Sequence, residues 1–465
     1  MKAMVNIDKT IENFRLGKVD LDCKQMVLSQ NKEGGERYEG KGYIRQADDG
    51  VLVYKLYITK VENATPYGHF ANMSSQLSTL HDDEIYYNLA AETYDGTKVT
   101  ATRIYSDVSW DVSVGVAEIA VGKLQSLAAE IKFPQVHHCL ELHFFEEHEV
   151  PLQEMSEAEE HGQKYFTLDT AKFEACGAEF TVKVRKGSGR TVFEATSGAA
   201  FHSSFHLRVQ EALQYMTGKS ATYRARVTCS PGLQALELVS PGPASSRPHF
   251  CPPIALATSE YRSHGWRLFA AYLAYVLKNT QDIYWNPLAY HLYNARESSA
   301  NSVDAWAIGI SVALEAVASL VAPKPDPDNE EKIAAFQKLM FEHIATLSGY
   351  ENVAQRMEGL INRLSDTRPQ DILHTLAQDG FITKKYVAAW SQLRNRHVHP
   401  KIKDLNKPDL QQQKMIDRIH RVHVLLAQLT FRLIGYEGPY TDYGVKGFPH
   451  ETYPLPASTQ CSRAK

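Results

Sequence analysis

Cysteine is scarce and scattered. The six residues stand at 23, 139, 176, 229, 251 and 461, with no close pair and no Cys-x-x-Cys. That spacing excludes a zinc knuckle and predicts a reducing compartment rather than a disulfide scaffold. The N-terminal MKAMVNIDKTIENF lacks the apolar core of a secretory signal. The most apolar long stretch, 306–321, carries Glu315 and is short for a bilayer span. A cytoplasmic protein with no membrane partner is expected. There is no GxxxxGK[ST] loop and no dinucleotide-binding glycine fingerprint, and GKSA at 218–221 lacks the preceding loop glycine, Leu213 standing in its place. ATP hydrolysis and nicotinamide chemistry are therefore not expected, and no cofactor is. Neither charge sign dominates: 50 Lys and Arg stand against 54 Asp and Glu, a net of −4. That excludes a chain-wide basic coat for nucleic acid. With 27 Gly and 20 Pro in 465 residues, collagen-like and low-complexity chains are excluded too.

What is present falls into two halves. The first is rich in short β-branched and aromatic runs: 51–60, 102–105, 109–119, 139–145, 179–184 and 191–195. Several alternate polar and apolar positions, the period of a half-buried strand. Segments 223–229 and 233–239 pair across Ser230-Pro231-Gly232. A mainly antiparallel β domain of sandwich or barrel type is predicted over 1–245. One helix interrupts it at 205–216, with Phe205, Val209, Ala212, Leu213 and Met216 on one face. The stretch 241–253 has five prolines in thirteen residues, and 246–254 is read as a linker. Beyond it, 266–277, 303–321, 331–344, 371–377, 384–393 and 413–435 have helical composition and spacing. An all-helical bundle with a non-helical tail is predicted over 255–465. The fold class is α+β, multidomain.

One constellation carries chemistry. Residues 390–400 read Trp-Ser-Gln-Leu-Arg-Asn-Arg-His-Val-His-Pro. From Gly380 to Lys403 there is no acid, while Lys384, Lys385, Arg394, Arg396, Lys401 and Lys403 give +6. Such a window suits phosphate better than a core. RNA cleavage without a metal needs a group to move the 2′-hydroxyl and leaving-group protons and a cation for the developing charge. His399 is of the side-chain type that can transfer protons near neutral pH. Arg394 keeps its proton and pairs bidentately with phosphate. Asn395 orients a group or bonds the sugar. The same residues also read as a basic, solvated helix end.

The Arg-Asn-x-x-x-His form of Arg-x4-6-His, late in a helical domain, resembles the HEPN superfamily. The final helix ending in LIGYEGPY (433–440) and the stretch FHSSFHLRVQEALQYMTG (201–218) are more specifically similar to the ApeA-like HEPN proteins of bacteria. The resemblance covers most of the chain. It implies a metal-independent endoribonuclease acting as a homodimer or higher even oligomer, with two motifs facing across one cleft. Arg394, His399 and Asn395 take the family's catalytic positions. Glu315, an isolated charge in an apolar helix, matches the acidic residue of an earlier helix, with Arg394 as its partner or with a structural role alone. Arg396, His397, Lys401 and Lys385 are expected to contact RNA. The implied role is antiphage defence by abortive infection, through cleavage of transfer RNA or another host RNA on a phage-encoded trigger. A non-catalytic RNA- or nucleotide-binding module that senses a ligand through its β domain is the alternative.

Other histidines are weaker candidates. His137, His138, His143 and His148 lie near Cys139 but show no ligand pairs at standard spacing; His202 and His206, four apart, have zinc-compatible spacing but no third ligand nearby. No metal site is expected. His420 and His423, with Arg418 and Arg421, decorate the last helix, whose apolar stripe is 416, 419, 422, 425, 426 and 429. They read as solvated, or as lining the Arg394 cleft.

Overall fold

The computed structural model describes all residues except 1–5, 79–81, 133–136, 161–162, 186–188, 243–249, 257–260, 281–284, 323–326, 347–348, 350, 366–367, 398–408 and 457–465. The architecture is mixed: a large antiparallel sheet domain, then a mostly helical region. Two compact units divide the chain, Met1–Gln210 with Ala221–Ser245, and Glu211–Ser220 with Ser246–Lys465.

The first unit opens with α1 (Ile7–Arg15), capped by Asn6, whose side chain accepts from the Lys9 N–H. Then come β1 (Asp20–Gln30), β2 (Arg37–Gln46), β3 (Leu52–Glu62), α2 (Pro66–Ser78), β4 (Tyr87–Thr93) and β5 (Lys98–Ile104). They are followed by β6 (Ser106–Asp111), β7 (Val116–Leu124), β8 (Ser126–Lys132), β9 (His138–Phe144), β10 (Glu154–Glu160), β11 (Gln163–Ala175), β12 (Ala178–Arg185) and β13 (Arg190–Ser197). After α3 (Phe205–Thr217), β14 (Ala225–Ser230) and β15 (Leu233–Val239) close the unit. The last turns of α3 group with the second unit.

All these strands join one antiparallel sheet in the order β10-β11-β12-β13-β9-β14-β15-β8-β5-β4-β1-β2-β3-β7-β6. Alternation selects the face. Along β12, Ala178, Phe180, Val182 and Val184 are buried while Glu179 and Arg185 are exposed. The 109–119 run is two strands, not one. Asp111 accepts from the Ser113 N–H, and Gly115 takes a left-handed φ of +67°, so the chain reverses between β6 and β7.

Cysteine also departs from expectation. β9 and β14 pair with Cys139 opposite Cys229, Cα atoms 4.8 Å apart, and the two form a disulfide. Ninety residues separate them, so only the sheet register brings them together.

A buried carboxylate ties α2 to this sheet. Glu36 accepts from Tyr38 OH at 2.8 Å, Tyr87 OH at 2.5 Å and Asn72 Nδ2 at 2.6 Å, and lies 3.2 Å from His69 Nδ1. The Val108 N–H donates to His69 Nε2, so Nδ1 carries the proton and donates to Glu36. Burial pushes the carboxyl up, but the hydrogen bonds from His69, Tyr87 and Tyr38 outweigh it and hold it below its usual range.

The second unit contains α4 (Arg262–Lys278), α5 (Pro287–Ser299), α6 (Val303–Val321), α7 (Pro327–Ile344), α8 (Glu351–Asn362), α9 (Pro369–Gln378), α10 (Lys384–His397) and α11 (Asp409–Ile434). The tail is a hairpin, β16 (Gly438–Thr441) with β17 (His450–Tyr453). Helix α6 packs against α5, α9, α10 and α11. Its approach to α5 requires Gly309, because a Cβ there would sit 2.0 Å from Ser298 Oγ. By length and composition α6 alone among the described helices suffices to cross a membrane; here Trp306, Ile310, Leu314 and Val317 are buried among neighbouring helices.

Helix α11 does not show the expected single stripe, because Val422–Phe431 is buried on every side. His423 is accordingly enclosed, its ring 4.4 Å from Phe250, and burial pushes its pKa down to about 3. His420 is half-buried beside Trp306. Neither is a solvated surface group.

Substituting Glu36→Gln is expected to cost about 2–4 kcal/mol, since the amide brings donors where only donors converge. The folded protein holds this carboxyl below its unfolded value. On acidification the unfolded chain therefore binds the proton first, and the stabilisation, complete at neutral pH, is lost as pH falls through the acid range. Denaturant melts of both proteins from pH 7 downward check this. The wild-type advantage should shrink with acidity.

Candidate functional site

Two helices assemble the site. In α10, Tyr386, Val387, Trp390 and Leu393 are buried, a three-and-four spacing that leaves Arg394 at the rim. In α6, Ile308, Val312, Glu315 and Ser319 follow one another at four, three and four residues and share the face left to solvent. Ile308 and Val312 are 42% and 53% exposed, large values for aliphatic side chains on a helix this apolar.

Arg394 meets Glu315 where these helices pack. Its Nε–H donates to Glu315 Oε1 at 2.6 Å, a charge-assisted hydrogen bond across 79 residues of sequence. The contact uses one of five N–H donors of the guanidinium. Among the described residues no hydrogen bond to the terminal nitrogens is found. Glu315 holds the guanidinium through its Nε.

The other candidates are placed unequally. Asn395 is exposed, one position beyond Arg394. Arg396 is half-buried and engaged in contacts of its own. His397 is the last residue of α10. His399 and Lys401 lie outside the described residues. Lys385 is not part of this group. It stands nine residues before Arg394, about 13 Å along the helix, and its Nζ lies 4.8 Å over the Tyr386 ring.

No group of three His, Cys, Asp or Glu side chains suited to a metal is found among the described residues. His143 and His148 are buried in the sheet unit. His202 bonds Ser204 Oγ at 2.9 Å, and burial pushes His206 down to about 3.

A clamp on α10 has no counterpart in the sequence pattern. Tyr386 OH donates to Asp442, 2.5 and 2.6 Å from its two oxygens. Gln428 accepts from the Thr383 N–H and donates to Thr383 Oγ1. These contacts link α10 to α11 and the tail, and Asp442 in a Gly/Pro/Tyr-rich segment carries no motif that announces it.

No protein-family model, no curated protein and no solved structure matches the chain.

The side chains of Arg394 and Glu315 are 37% and 25% exposed, so the pair stabilises the fold on the scale of a surface bridge. R394Q and E315Q are each expected to cost less than about 1 kcal/mol. Thermal melts within a few degrees of wild type would agree. A loss of several kcal/mol would make the pair a structural one.

Proposed function

We propose that the helical unit is a HEPN-type, metal-independent endoribonuclease whose reacting groups are Arg394 and His399. The observation that carries the reading is the Arg394–Glu315 hydrogen bond, set in the acid-free stretch 380–403. In this reading the terminal nitrogens of Arg394 hold the scissile phosphate and offset the charge that grows on its oxygens. His399 moves a proton between the 2′-hydroxyl, phosphate and leaving 5′-oxygen. Asn395 hydrogen-bonds the adjacent sugar, and Glu315 positions the guanidinium. Arg396, His397 and Lys401 follow the flanking phosphates.

The exposed aliphatic stripe of Ile308 and Val312 supports a second element of the reading, a homodimer or higher even oligomer with this face of α6 against its copy. Two motifs then face one cleft. The resemblance to ApeA-like proteins supplies the biological frame: cytoplasmic cleavage of transfer RNA or another host RNA in antiphage defence, with the sheet unit sensing a phage-encoded trigger. A binding-only module is the second reading. It draws on the same ion pair, because a guanidinium held by a carboxylate can bind an anion without cutting it.

Incubation of full-length protein with transfer RNA in EDTA tests the choice. Wild type should cleave, and R394A and H399A should each lose roughly 10²–10⁴-fold in rate. Undiminished cleavage by both variants would overturn the assignment. RNA binding that weakens in R394A, with no product from any protein, would favour the binding module.

A further inference from the structure

The loop between β16 and β17 presents an aromatic side chain in an unusual way. Phe448 has φ of +51°, a left-handed conformation that a bulky L residue adopts only when its surroundings impose it. The residue is 49% exposed. Tyr443 and His420 support it, with ring centroids at 5.3 and 6.3 Å and interplanar angles of 55° and 85°. Neither ring lies parallel to it. Among the described residues, then, no ring is stacked on Phe448.

Cations lie on the same loop and on the helix beneath it. Lys446 is exposed two residues earlier. Arg421 of α11 passes beneath the loop, its Cγ 2.8 Å from where a Cβ on Gly444 would stand. The loop's own carboxylate, Asp442, is buried and takes hydrogen bonds from Tyr386 OH and the Gly444 N–H. The exposed Asp417 accepts from Gln413 Nε2.

We infer that Phe448 is a stacking platform for an unpaired base of single-stranded RNA, with Lys446 and Arg421 serving the adjoining phosphates. This rests on the ribonuclease reading and deepens it by naming the substrate class. An exposed aromatic ring with cations on its own loop and on the helix beneath it matches the two surfaces of a single strand, the base face and the phosphate chain. A duplex keeps its base faces stacked and offers only the second. The position fits a strand that reaches the Arg394 site. Thr383 meets Gln428, and Tyr386 and Arg421 flank the same glycine, so α10 and α11 run antiparallel. Arg394 is eight residues beyond Tyr386, about 12 Å along the axis, which a short single-stranded segment spans.

The test is equilibrium binding of full-length protein to a 2′-O-methyl single-stranded oligonucleotide, which lacks the attacking hydroxyl, and to the same sequence as a duplex. F448A should weaken single-strand binding about tenfold and leave duplex binding unchanged, and F448W should restore it. F448G, which removes the ring and relieves the left-handed backbone, should show the same loss with a near-wild-type melting temperature. Wild-type affinity in F448A, equal losses for single strand and duplex, or no single-strand binding by wild type would each overturn the platform. Cleavage of transfer RNA in EDTA is read separately, so failure of the platform and failure of the nuclease reading are distinct results.

Discussion

Helix α6 is enclosed by four other helices, and that enclosure dictates where its interior carboxylate emerges. A helix packed on most of its circumference has one face left for charge, and Glu315 occupies that face with Ile308 and Val312. Helix α10 brings Arg394 to the same place because its apolar spacing buries Trp390 and Leu393 and leaves the next residue at the rim. The pair is therefore a consequence of helix packing rather than its cause. An ion pair this exposed contributes little to stability, so the 2.6 Å contact is not what holds the two helices together.

The contrast with Glu36 is instructive. That carboxylate is sealed within the sheet unit, with hydrogen bonds from two tyrosines, an asparagine and a histidine. Burial makes every one of those bonds matter, since an unpaired donor or charge there has no water to turn to. The network anchors α2 through polar groups while Tyr67 and Phe70 of the same helix face solvent. One acidic residue holds architecture; the other, at the surface, orients a cation.

Much of this was legible in sequence where periodicity was strong. The 303–321 helix and the 223–239 hairpin follow directly from apolar spacing and a Pro-Gly turn. The strand run at 109–119 was misread because Asp111 and Gly115 make their turn inside a valine-rich segment that looks continuous. Helix α5 went unread although Asn286-Pro287 is a clear start signal, capping Leu288 N–H, because its polar, mixed composition shows little periodicity. The Cys139–Cys229 pair was invisible because register, not spacing, sets it. At the site, Arg394 and Glu315 stood out as an isolated basic cluster and an isolated acid. Asp442 and Phe448 did not, because their surroundings are tertiary and no local pattern marks them.

The chemistry of the cut ends tests the account most directly. Attack by the 2′-hydroxyl, with Arg394 and no metal, yields a 2′,3′-cyclic phosphate and a 5′-hydroxyl. Mass spectrometry of RNA fragments made in EDTA should show these ends, and a single 2′-deoxy substitution at the cut position should abolish the product. Fragments with 3′-hydroxyl and 5′-phosphate ends, or cleavage that appears only when a divalent cation is restored, would contradict it.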